Sequence, residues 1–332
     1  MNIAIFEAKP SEVEYFKKSI HGHKLTFFAD PLNQKNVLKI RDAEALVIFI
    51  YSNAQKEILN KLPKLKFLAT KSTGFDHINT SVCKKRKIIV SNVPFYGENT
   101  VAEHTFALIL SLSRNIHKSY VRTLRNDFST EGLEGFDLKG KTLGVVGTGH
   151  IGLRVIKIAK GFGMNVLAYD VTHNTFLEEV LGFKYISLEK LLSSSDIITL
   201  HVPYNEHTHH LLNKNTMKHI KKGAILINTS RGGIIETDSL IQLLDKKILS
   251  GAGLDVLEGE ELIKEEKELL HDKTKTEKLA ELVRDHIVIT YENVVYTPHI
   301  AFYSKEALER ILDTTIQNIL SFIGKKPINT VK

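Results

Sequence analysis

Three closely spaced glycines follow an apolar run near the middle of the chain. Gly147, Gly149 and Gly152 come directly after the apolar residues 142–146 and precede a segment of helical character. In such a turn the first glycine permits a tight bend, the second lets a pyrophosphate approach the backbone, and the third allows helix and strand to pack closely. The N-terminus of the helix would add N–H groups and a favourable dipole. The spacing therefore predicts a dinucleotide-binding turn.

An acidic residue after the next apolar run supports this prediction. Asp170 follows residues 166–169 and stands 23 residues after Gly147. A carboxylate at this strand end can accept hydrogen bonds from the adenosine ribose hydroxyls, and its charge would repel a 2′-phosphate. Asp170 alone is also compatible with an ordinary polar strand end, but together with the glycines it favours NAD over NADP.

The elements that must position these residues are strands and helices in alternation. Apolar runs without polar alternation, each followed by a helical segment, are typical of parallel sheets that are covered on both faces. We therefore predict an α/β fold. The predicted strands are residues 3–6, 45–50, 67–70, 88–92, 142–146, 166–169, 197–202, 224–228 and 251–256.

Two segments have a clear helical periodicity. Residues 98–115 carry apolar side chains at spacings of three and four. A second helix follows Ser304, which is a suitable N-terminal cap, and should stop near Gly324 and Pro327. Between two strands, the charged residues 258–284 are interpreted as an exposed helical insertion.

The length of the chain indicates two domains. Its 332 residues exceed the roughly 250–300 residues at which single cores stop growing. A dinucleotide-binding fold that begins near residue 100 leaves the preceding strands as a separate, smaller α/β unit. We expect the substrate to meet the nicotinamide in a cleft between the two.

Composition and charge exclude several classes of protein. Hydrophobic residues make up 42% and charged residues 25%, as in ordinary globular proteins. The net charge is +7, but basic residues are scattered and the densest run, residues 84–87, has no interleaved aromatic residues, so we predict no nucleic-acid partner.

The single cysteine, Cys83, allows no intrachain disulfide and is predicted to lie, inert, on a surface helix. Without a signal peptide or a long apolar stretch, the chain is predicted to be cytoplasmic, with no membrane partner.

Eight blocks along the chain resemble those of the D-isomer-specific 2-hydroxyacid dehydrogenases, most closely the fermentative D-lactate dehydrogenases. The resemblance covers nearly the full length, and the blocks stand in the family's order. They are Ser72-Thr73-Gly74-Phe75-Asp76, Asn92-Val93-Pro94-Phe95-Tyr96, Val101-Ala102-Glu103-His104, the glycine turn, His201-Val202-Pro203, Asn228-Thr229-Ser230-Arg231-Gly232, Gly253-Leu254-Asp255-Val256 and Thr297-Pro298-His299.

The resemblance implies a catalytic role for three residues. Arg231 would bind the substrate carboxylate and polarise the keto oxygen, which suits the planar donor fork of a guanidinium. His299 would donate a proton to the keto oxygen during reduction and accept one during oxidation. Glu260, five residues beyond the aspartate of the Leu-Asp-Val block, would orient the imidazole and favour its protonated form. Glu258 and Glu261 stand close enough to leave this register open.

The resemblance also implies residues that bind substrate and cofactor. The backbone amides of Thr73 and Gly74 would receive the carboxylate, and Tyr96 and Phe302 would shape a pocket for a small group such as the methyl of pyruvate. No metal site is implied. The implied cofactor-binding residues are Gly147, Gly149, His150, Ile151, Gly152, Asp170, Val202, Pro203, Thr208, Thr229 and Asp255.

The implied architecture consists of two Rossmann-like domains. A doubly wound parallel-sheet NAD-binding domain, residues 99–299, would be inserted in a smaller flavodoxin-like substrate domain, residues 1–98 plus 300–332. A homodimer with residues 101–115 at its interface is also implied.

The expected reaction is the reduction of pyruvate by NADH to D-lactate. The alternatives are an enzyme for larger keto acids of the 2-hydroxyisocaproate type, a phosphoglycerate-type enzyme, and a corepressor-like protein that binds NAD as a sensor. Lys71-Ser72 stands where many relatives have arginine or asparagine, and we expect this departure to alter carboxylate affinity or substrate range.

Overall fold

A computed structural model describes residues 1–260 and 276–331. The chain divides into two compact units, one formed by Met1–Tyr96 with Ser304–Lys332 and the other by Gly97–Tyr303. Of the predicted charged insertion, residues 261–275 lie outside the described residues, and its last part lies in the helix Thr276–Thr290. Within the described residues, no helix is both long and apolar enough to span a membrane.

Strands and helices alternate along most of the chain. The strands are β1 (Asn2–Ile5), β2 (Lys24–Phe27), β3 (Ala45–Ile48), β4 (Phe67–Thr70), β5 (Ile89–Ser91), β6 (Thr142–Val146), β7 (Asn165–Tyr169), β8 (Lys184–Tyr185), β9 (Ile197–Leu200), β10 (Ala224–Asn228), β11 (Leu249–Leu254) and β12 (Val294–Tyr296). The helices are α1 (Pro10–Ser19), α2 (Lys56–Leu59), α3 (Thr80–Lys85), α4 (Glu98–Ser113), α5 (Ile116–Leu124), α6 (His150–Gly161), α7 (Thr175–Leu181), α8 (Leu188–Ser194), α9 (Lys214–Met217), α10 (Thr237–Asp245), α11 (Thr276–Thr290) and α12 (Lys305–Ile323). Short 3₁₀ turns occupy Val37–Ile40 and Gly232–Ile234.

The first unit contains a five-stranded parallel sheet in the order β2-β1-β3-β4-β5. Strands β3 and β4 are buried along their whole length, because successive side chains enter two different cores. Val47 packs with Phe16 of α1 and Ile319 of α12, whereas Leu46 points to the opposite face. This is the flavodoxin-like strand order, and it confirms the predicted fold class for this unit.

The second unit contains a seven-stranded parallel sheet in the order β12-β11-β10-β9-β6-β7-β8. From β6 the chain builds outward to β7 and β8, then returns to β9 on the other side of β6 and continues to β12. The sheet is therefore doubly wound, as predicted. Ligands of such sheets bind outside the carboxyl ends of the strands, where the strand order reverses. Here that position lies between β6 and β9.

Three observed strands have no counterpart among the predicted ones. β2, β8 and β12 are all edge strands, of four, two and three residues. An edge strand is covered less completely than a central one, and none of the residues in β2 is fully buried. Such strands lack the continuous apolar run by which the central strands were predicted.

The predicted helix over residues 98–115 ends early. α4 stops at Ser113, and Asn115 has a φ of +50°, a left-handed conformation that asparagine tolerates better than most residues. α5 then starts at Ile116. The predicted start of the last helix agrees with the structure, because Ser304 Oγ accepts a hydrogen bond from Ala307 N at 3.2 Å.

Cys83 lies on α3, a helix with the exposed residues Ser81, Lys84 and Lys85, as predicted. Its own side chain points inward and is fully buried in the core of the first unit. Burial raises the pKa of the Cys83 thiol to about 11. A buried, protonated thiol is a poor nucleophile.

Candidate active site

The glycine turn follows β6, beside the position where the strand order reverses. Gly147 has a φ of +96°, and a Cβ atom there would lie 2.6 Å from the carbonyl oxygen of His201. A Cβ atom on Gly152 would lie 2.0 Å from the carbonyl oxygen of Gly147. Any larger residue at either position would force the turn away from α6 or from the segment after β9, so the turn requires glycine here.

The space beside Gly149 fits a phosphate group. A Cβ atom on Gly149 would meet no other atom within 4 Å, so the backbone is open to a ligand on this side. α6 begins with the next residue, His150, and its first N–H groups and dipole favour an anion. His150 is exposed and Ile151 is half-buried. These residues fit the pyrophosphate of a dinucleotide.

Asp170 lies one residue beyond β7 and is hydrogen-bonded to the glycine turn. Its Oδ2 accepts from Thr148 N at 2.7 Å and from Thr148 Oγ1 at 3.0 Å, and its Oδ1 accepts from Thr172 N at 3.0 Å. Burial acts to raise the pKa of Asp170, but these hydrogen bonds outweigh it and lower the pKa below its usual value. The carboxylate is therefore ionised at neutral pH, as required for binding ribose hydroxyls and repelling a 2′-phosphate.

The segment after β9 packs against the glycine turn through the backbone carbonyl of His201. Burial lowers the pKa of the His201 imidazole to about 3, so the ring is neutral. Val202 is half-buried and Pro203 exposed. Thr208 Oγ1 donates to the carbonyl oxygen of Pro203 at 2.6 Å, which closes the loop that begins there. The predicted cofactor residues of this segment thus form one loop next to the turn.

Arg231 stands on a tightly bonded turn after β10. Asn228 is fully buried. Its Oδ1 accepts from Ser230 N at 3.0 Å and from Ser230 Oγ at 2.8 Å, and its Nδ2 donates to the carbonyl oxygen of Arg231 at 2.9 Å. A Cβ atom on Gly232 would lie 2.0 Å from the carbonyl group of Leu257. The Arg231 turn therefore packs directly against the segment that leads to Glu260.

Glu260 is the acid that contacts the predicted proton donor. Its Oε1 lies 2.6 Å from His299 Nδ1, and the two side chains are 18% and 14% exposed. Glu258 instead contacts His210 Nε2 and accepts from Thr237 Oγ1 at 2.9 Å. The third acid that the sequence left open, residue 261, lies outside the described residues. With Nδ1 facing Glu260, Nε2 is the nitrogen of His299 that can face a substrate.

The backbone of His299 is held in an uncommon conformation by Asp255. His299 has a φ of +54°, which is rare for residues other than glycine. Its N–H donates to the carbonyl oxygen of Asp255 at 2.8 Å. The buried carboxylate of Asp255 accepts from Ile300 N at 2.9 Å and from Ala301 N at 2.8 Å. The cofactor role of Asp255 stays a prediction; in the structure its carboxylate holds the loop that carries His299.

Phe302 lies close to His299, with the two ring centroids 6.4 Å apart in an edge-to-face arrangement. The other residues predicted to bind substrate belong to the first unit. The turn after β4 is fixed by Ser72 Oγ, which donates to the carbonyl oxygen of Gly74 at 2.7 Å, and by Thr73 Oγ1, which donates to that of Val93 at 2.8 Å. Among the described residues, none accepts a hydrogen bond from the amides of Thr73 and Gly74. Tyr96 follows β5, and its carbonyl oxygen accepts from Arg310 Nε at 2.7 Å.

Lys71, next to this turn, is a core residue. It is 3% exposed, and its Nζ lies 2.8 Å from Glu12 Oε2 and donates to the carbonyl oxygen of Glu7 at 2.8 Å. The expectation that the Lys71-Ser72 departure acts on the substrate carboxylate therefore finds no support in the position of the Lys71 ammonium group, which is paired inside the unit.

Two residues of α4 contact the loops that carry Arg231 and His299, and the sequence predicts no role for either of them. His104 Nε2 lies 2.9 Å from Thr297 Oγ1, and Thr105 Oγ1 lies 3.1 Å from Thr229 Oγ1. Thr229, a predicted cofactor residue, is 9% exposed. The only sequence signal for this arrangement is the Val-Ala-Glu-His block itself, whose position on a helix gives no indication of what the histidine contacts.

The sequence and the fold of the chain are similar to those of known 2-hydroxyacid dehydrogenases. The family model described as D-isomer specific 2-hydroxyacid dehydrogenase, NAD binding domain, matches residues 106–301. The chain is 38% identical over 326 residues to a 2-hydroxyacid dehydrogenase homolog of Haemophilus influenzae, covering 96% of this chain and 95% of that protein. It is 36% identical over 326 residues to the D-lactate dehydrogenase of Escherichia coli, covering 96% of each. The crystal structure of the Aquifex aeolicus D-lactate dehydrogenase complexed with NAD and lactic acid is similar with a TM-score of 0.90 and 36% identity, covering 98% of this chain and 96% of that one.

Proposed function

The chain belongs to the D-isomer-specific 2-hydroxyacid dehydrogenase family, and on this premise we propose that it reduces pyruvate to D-lactate with NADH. The observation that carries the proposal is the 2.6 Å contact between His299 Nδ1 and Glu260 Oε1, which orients an imidazole for proton transfer. Relatives named as D-lactate dehydrogenases favour pyruvate as the keto acid.

Arg231 binds the carboxylate of the keto acid in the proposed reaction and polarises the keto oxygen. A guanidinium can donate to both groups at once, which a lysine ammonium cannot do with the same geometry. The hydrogen bonds of Asn228 fix the backbone from which Arg231 projects, so little ordering is left to occur when the substrate binds.

His299 donates the proton from Nε2 to the keto oxygen, and Glu260 stabilises the protonated ring through Nδ1. When bound, NADH supplies the hydride that C2 of the keto acid receives. The glycine turn, the N-terminus of α6 and Asp170 are the residues that would hold the cofactor. In the oxidation direction His299 accepts the hydroxyl proton.

The proposed substrate contacts match a small keto acid. The amides of Thr73 and Gly74, which donate to no described residue, receive the carboxylate. In the same proposal Tyr96 and Phe302 are substrate-binding residues, and their bulky aromatic rings favour a methyl group over a branched chain. Larger keto acids of the 2-hydroxyisocaproate type are the corresponding alternative.

The test is NADH oxidation across pyruvate, glyoxylate, phenylpyruvate and 2-ketoisocaproate, with chiral analysis of the product. We expect the highest kcat/KM with pyruvate and a product that is D-lactate only. Arg231→Ala should lower kcat/KM by about 10³-fold or more, since it removes a charged contact made to the reacting substrate, whereas the exposed Arg41→Ala should match the wild type. A higher kcat/KM with 2-ketoisocaproate than with pyruvate would make the branched keto acid the preferred substrate. NADH binding without turnover of any keto acid would support the NAD-sensing alternative instead.

We also propose that the chain forms a homodimer through α5. Ile116, Tyr120 and Leu124 stand four residues apart on one side of this helix and are 52%, 63% and 67% exposed. The apolar residues of the predicted interface segment 101–115, such as Leu108 and Ile109, are instead buried within the unit. An exposed apolar stripe of this kind is typical of a surface that a second copy covers.

A further inference from the structure

Two consecutive residues of α4 reach the two loops that carry Arg231 and His299. His104 contacts Thr297, two residues before His299, and Thr105 contacts Thr229, two residues before Arg231. Adjacent helical side chains point about 100° apart around the axis, so one turn of one helix can touch two separate loops. All of these residues belong to the second unit.

The direction of the hydrogen bonds at His104 follows from the number of protons available. Thr297 has one hydroxyl proton, which it donates to Asp255 Oδ1 at 2.5 Å. Thr297 Oγ1 must therefore be the acceptor in its 2.9 Å contact with His104, and His104 Nε2 must carry a proton. Asp255 in turn accepts from the backbone of the loop around His299. A chain of hydrogen bonds with a fixed direction thus links α4 to that loop.

The same reasoning applies at Thr105. Its hydroxyl proton is donated to the carbonyl oxygen of Val101 at 2.8 Å, so Thr229 is the donor in the 3.1 Å contact between the two hydroxyl groups. Thr105 is fully buried and Thr229 nearly so, and a buried hydroxyl that loses its acceptor is destabilised. The contact therefore favours one position of the Arg231 turn.

α4 is a suitable base for both contacts because it is fixed in the core. Its residues Ala102, Leu108 and Ile109 are at most 2% exposed and belong to the cluster formed with β6 and β10. A side chain on such a helix has little freedom to move, in contrast to one on an exposed loop.

We propose that His104 and Thr105 are positioning residues that set the His299 loop and the Arg231 turn relative to each other, an inference that rests on the proposed function. His104 acts through Thr297 and Asp255 on the proton donor, so its loss should lower kcat. Thr105 acts through Thr229 on the carboxylate-binding arginine, so its loss should raise KM for the keto acid. Neither residue contacts the reacting atoms in this assignment.

The test compares variants that keep or remove the relevant atom. His104→Leu removes the donor at similar volume, and His104→Gln keeps an N–H donor at the end of the side chain. We expect His104→Leu to lower kcat by about 10–100-fold, as displacements of about 1 Å in a catalytic group do, with the pyruvate KM and the Kd for NADH within about threefold of wild type. His104→Gln should recover most of kcat. Thr105→Val should raise the pyruvate KM by about tenfold with a smaller change in kcat, and Thr105→Ser should restore it.

His219→Leu is the matched control. This partly buried histidine precedes β10, at the end of the sheet opposite the site, with Nε2 3.9 Å from Glu189 Oε1. A general loss of stability would change the kinetics of His104→Leu and His219→Leu alike. If His104 acts specifically on the His299 loop, the kinetics of His219→Leu should stay at the wild-type values. Because the chain has no tryptophan, NADH fluorescence reports cofactor binding without interference from that residue.

A second measurement does not depend on turnover. The imidazole ¹⁵N signals of His299, assigned by their loss in His299→Gln, should shift in His104→Leu and not in His219→Leu. Unchanged His299 signals together with wild-type kcat in His104→Leu would overturn the inference, as would equal losses in His104→Leu and His104→Gln. If the wild type turns over no keto acid, the proposed function fails, and the NMR comparison still decides whether His104 positions the loop.

Discussion

Glu258 and Glu260 lie two residues apart, yet their carboxylates contact different histidines. Glu260 contacts His299, and Glu258 contacts His210. The sequence identifies the segment and the residue types, and the family spacing favours Glu260. The contact itself depends on the path of the backbone through Gly259, which neither composition nor periodicity specifies. For the same reason the partners of His104 could not be predicted, since they lie 193 residues away at Thr297.

Glu260→Gln should lower the rate of pyruvate reduction. Glu260 Oε1 lies 2.6 Å from His299 Nδ1, and this contact orients the imidazole for proton transfer to the keto oxygen. A neutral amide in its place stabilises positive charge on the ring less well, so kcat/KM for pyruvate should fall by about tenfold or more. Steady-state oxidation of NADH measures the change.

Glu258→Gln provides the matched comparison, because it is the same substitution two residues earlier on the same segment. It removes charge from the contact with His210 and leaves the partner of His299 intact. The kcat/KM for pyruvate should then stay within about threefold of the wild-type value. A loss of similar size in both variants would mean that Glu260 has no specific effect on His299.

Among the elements, the central strands were predicted closely and the edge strands were not. β4, β6 and β10 have the predicted bounds, because each is a continuous apolar run that is buried on both faces. The side chains of β2, β8 and β12 are buried less completely, and their residues form no continuous buried apolar run. The end of α4 was also missed, since a left-handed residue at Asn115 interrupts an apolar periodicity that continues into α5.

The buried ion pair between Glu12 of α1 and Lys71, the residue after β4, should matter for the stability of the first unit. Lys71→Met removes the ammonium group and leaves the Glu12 carboxylate, 11% exposed, without its charged partner. An uncompensated buried charge costs about 3–5 kcal/mol, so the free energy of unfolding should fall by that order. Lys71→Arg keeps the charge and should lose less. Urea unfolding monitored by labelling of Cys83 measures the change.

Cys83 is a suitable reporter for this experiment because it is the single cysteine of the chain and belongs to the same unit. Burial and a pKa raised to about 11 keep it protonated and unreactive at pH 8 while the unit is folded. Lys66→Met is the control, since Lys66 pairs with Glu44 at 3.0 Å on the surface with 65% of its side chain exposed, where ion pairs contribute little. Equal losses for Lys66→Met and Lys71→Met would show that burial of the pair is unimportant.

In the second unit as a whole, the candidate site follows from the parallel sheet. The glycine turn, Asp170 and Arg231 come directly after the carboxyl ends of β6, β7 and β10, and Glu260 and His299 follow β11 and β12. Because all these strands are parallel, their carboxyl ends lie at the same end of the sheet. This convergence could be predicted from the alternation of strands and helices. Which apolar helical residues face solvent could not be predicted. An apolar helical face has the same sequence pattern whether it packs against the rest of its own chain or against a second copy.

The exposed stripe of α5 leads to a prediction about the assembled molecule. Wild-type protein should sediment at twice the chain mass of 37.5 kDa, and Tyr120→Glu should reduce it to the mass of one chain, because a carboxylate in an apolar interface is strongly unfavourable. Phe176→Glu is the control: Phe176 is also an exposed aromatic residue on a helix, 70% exposed on α7, and should leave the mass unchanged. Sedimentation equilibrium across a hundredfold range of concentration distinguishes these cases. A wild-type protein that stays at 37.5 kDa throughout would rule out the dimer, and dissociation by Phe176→Glu instead would assign the interface to α7.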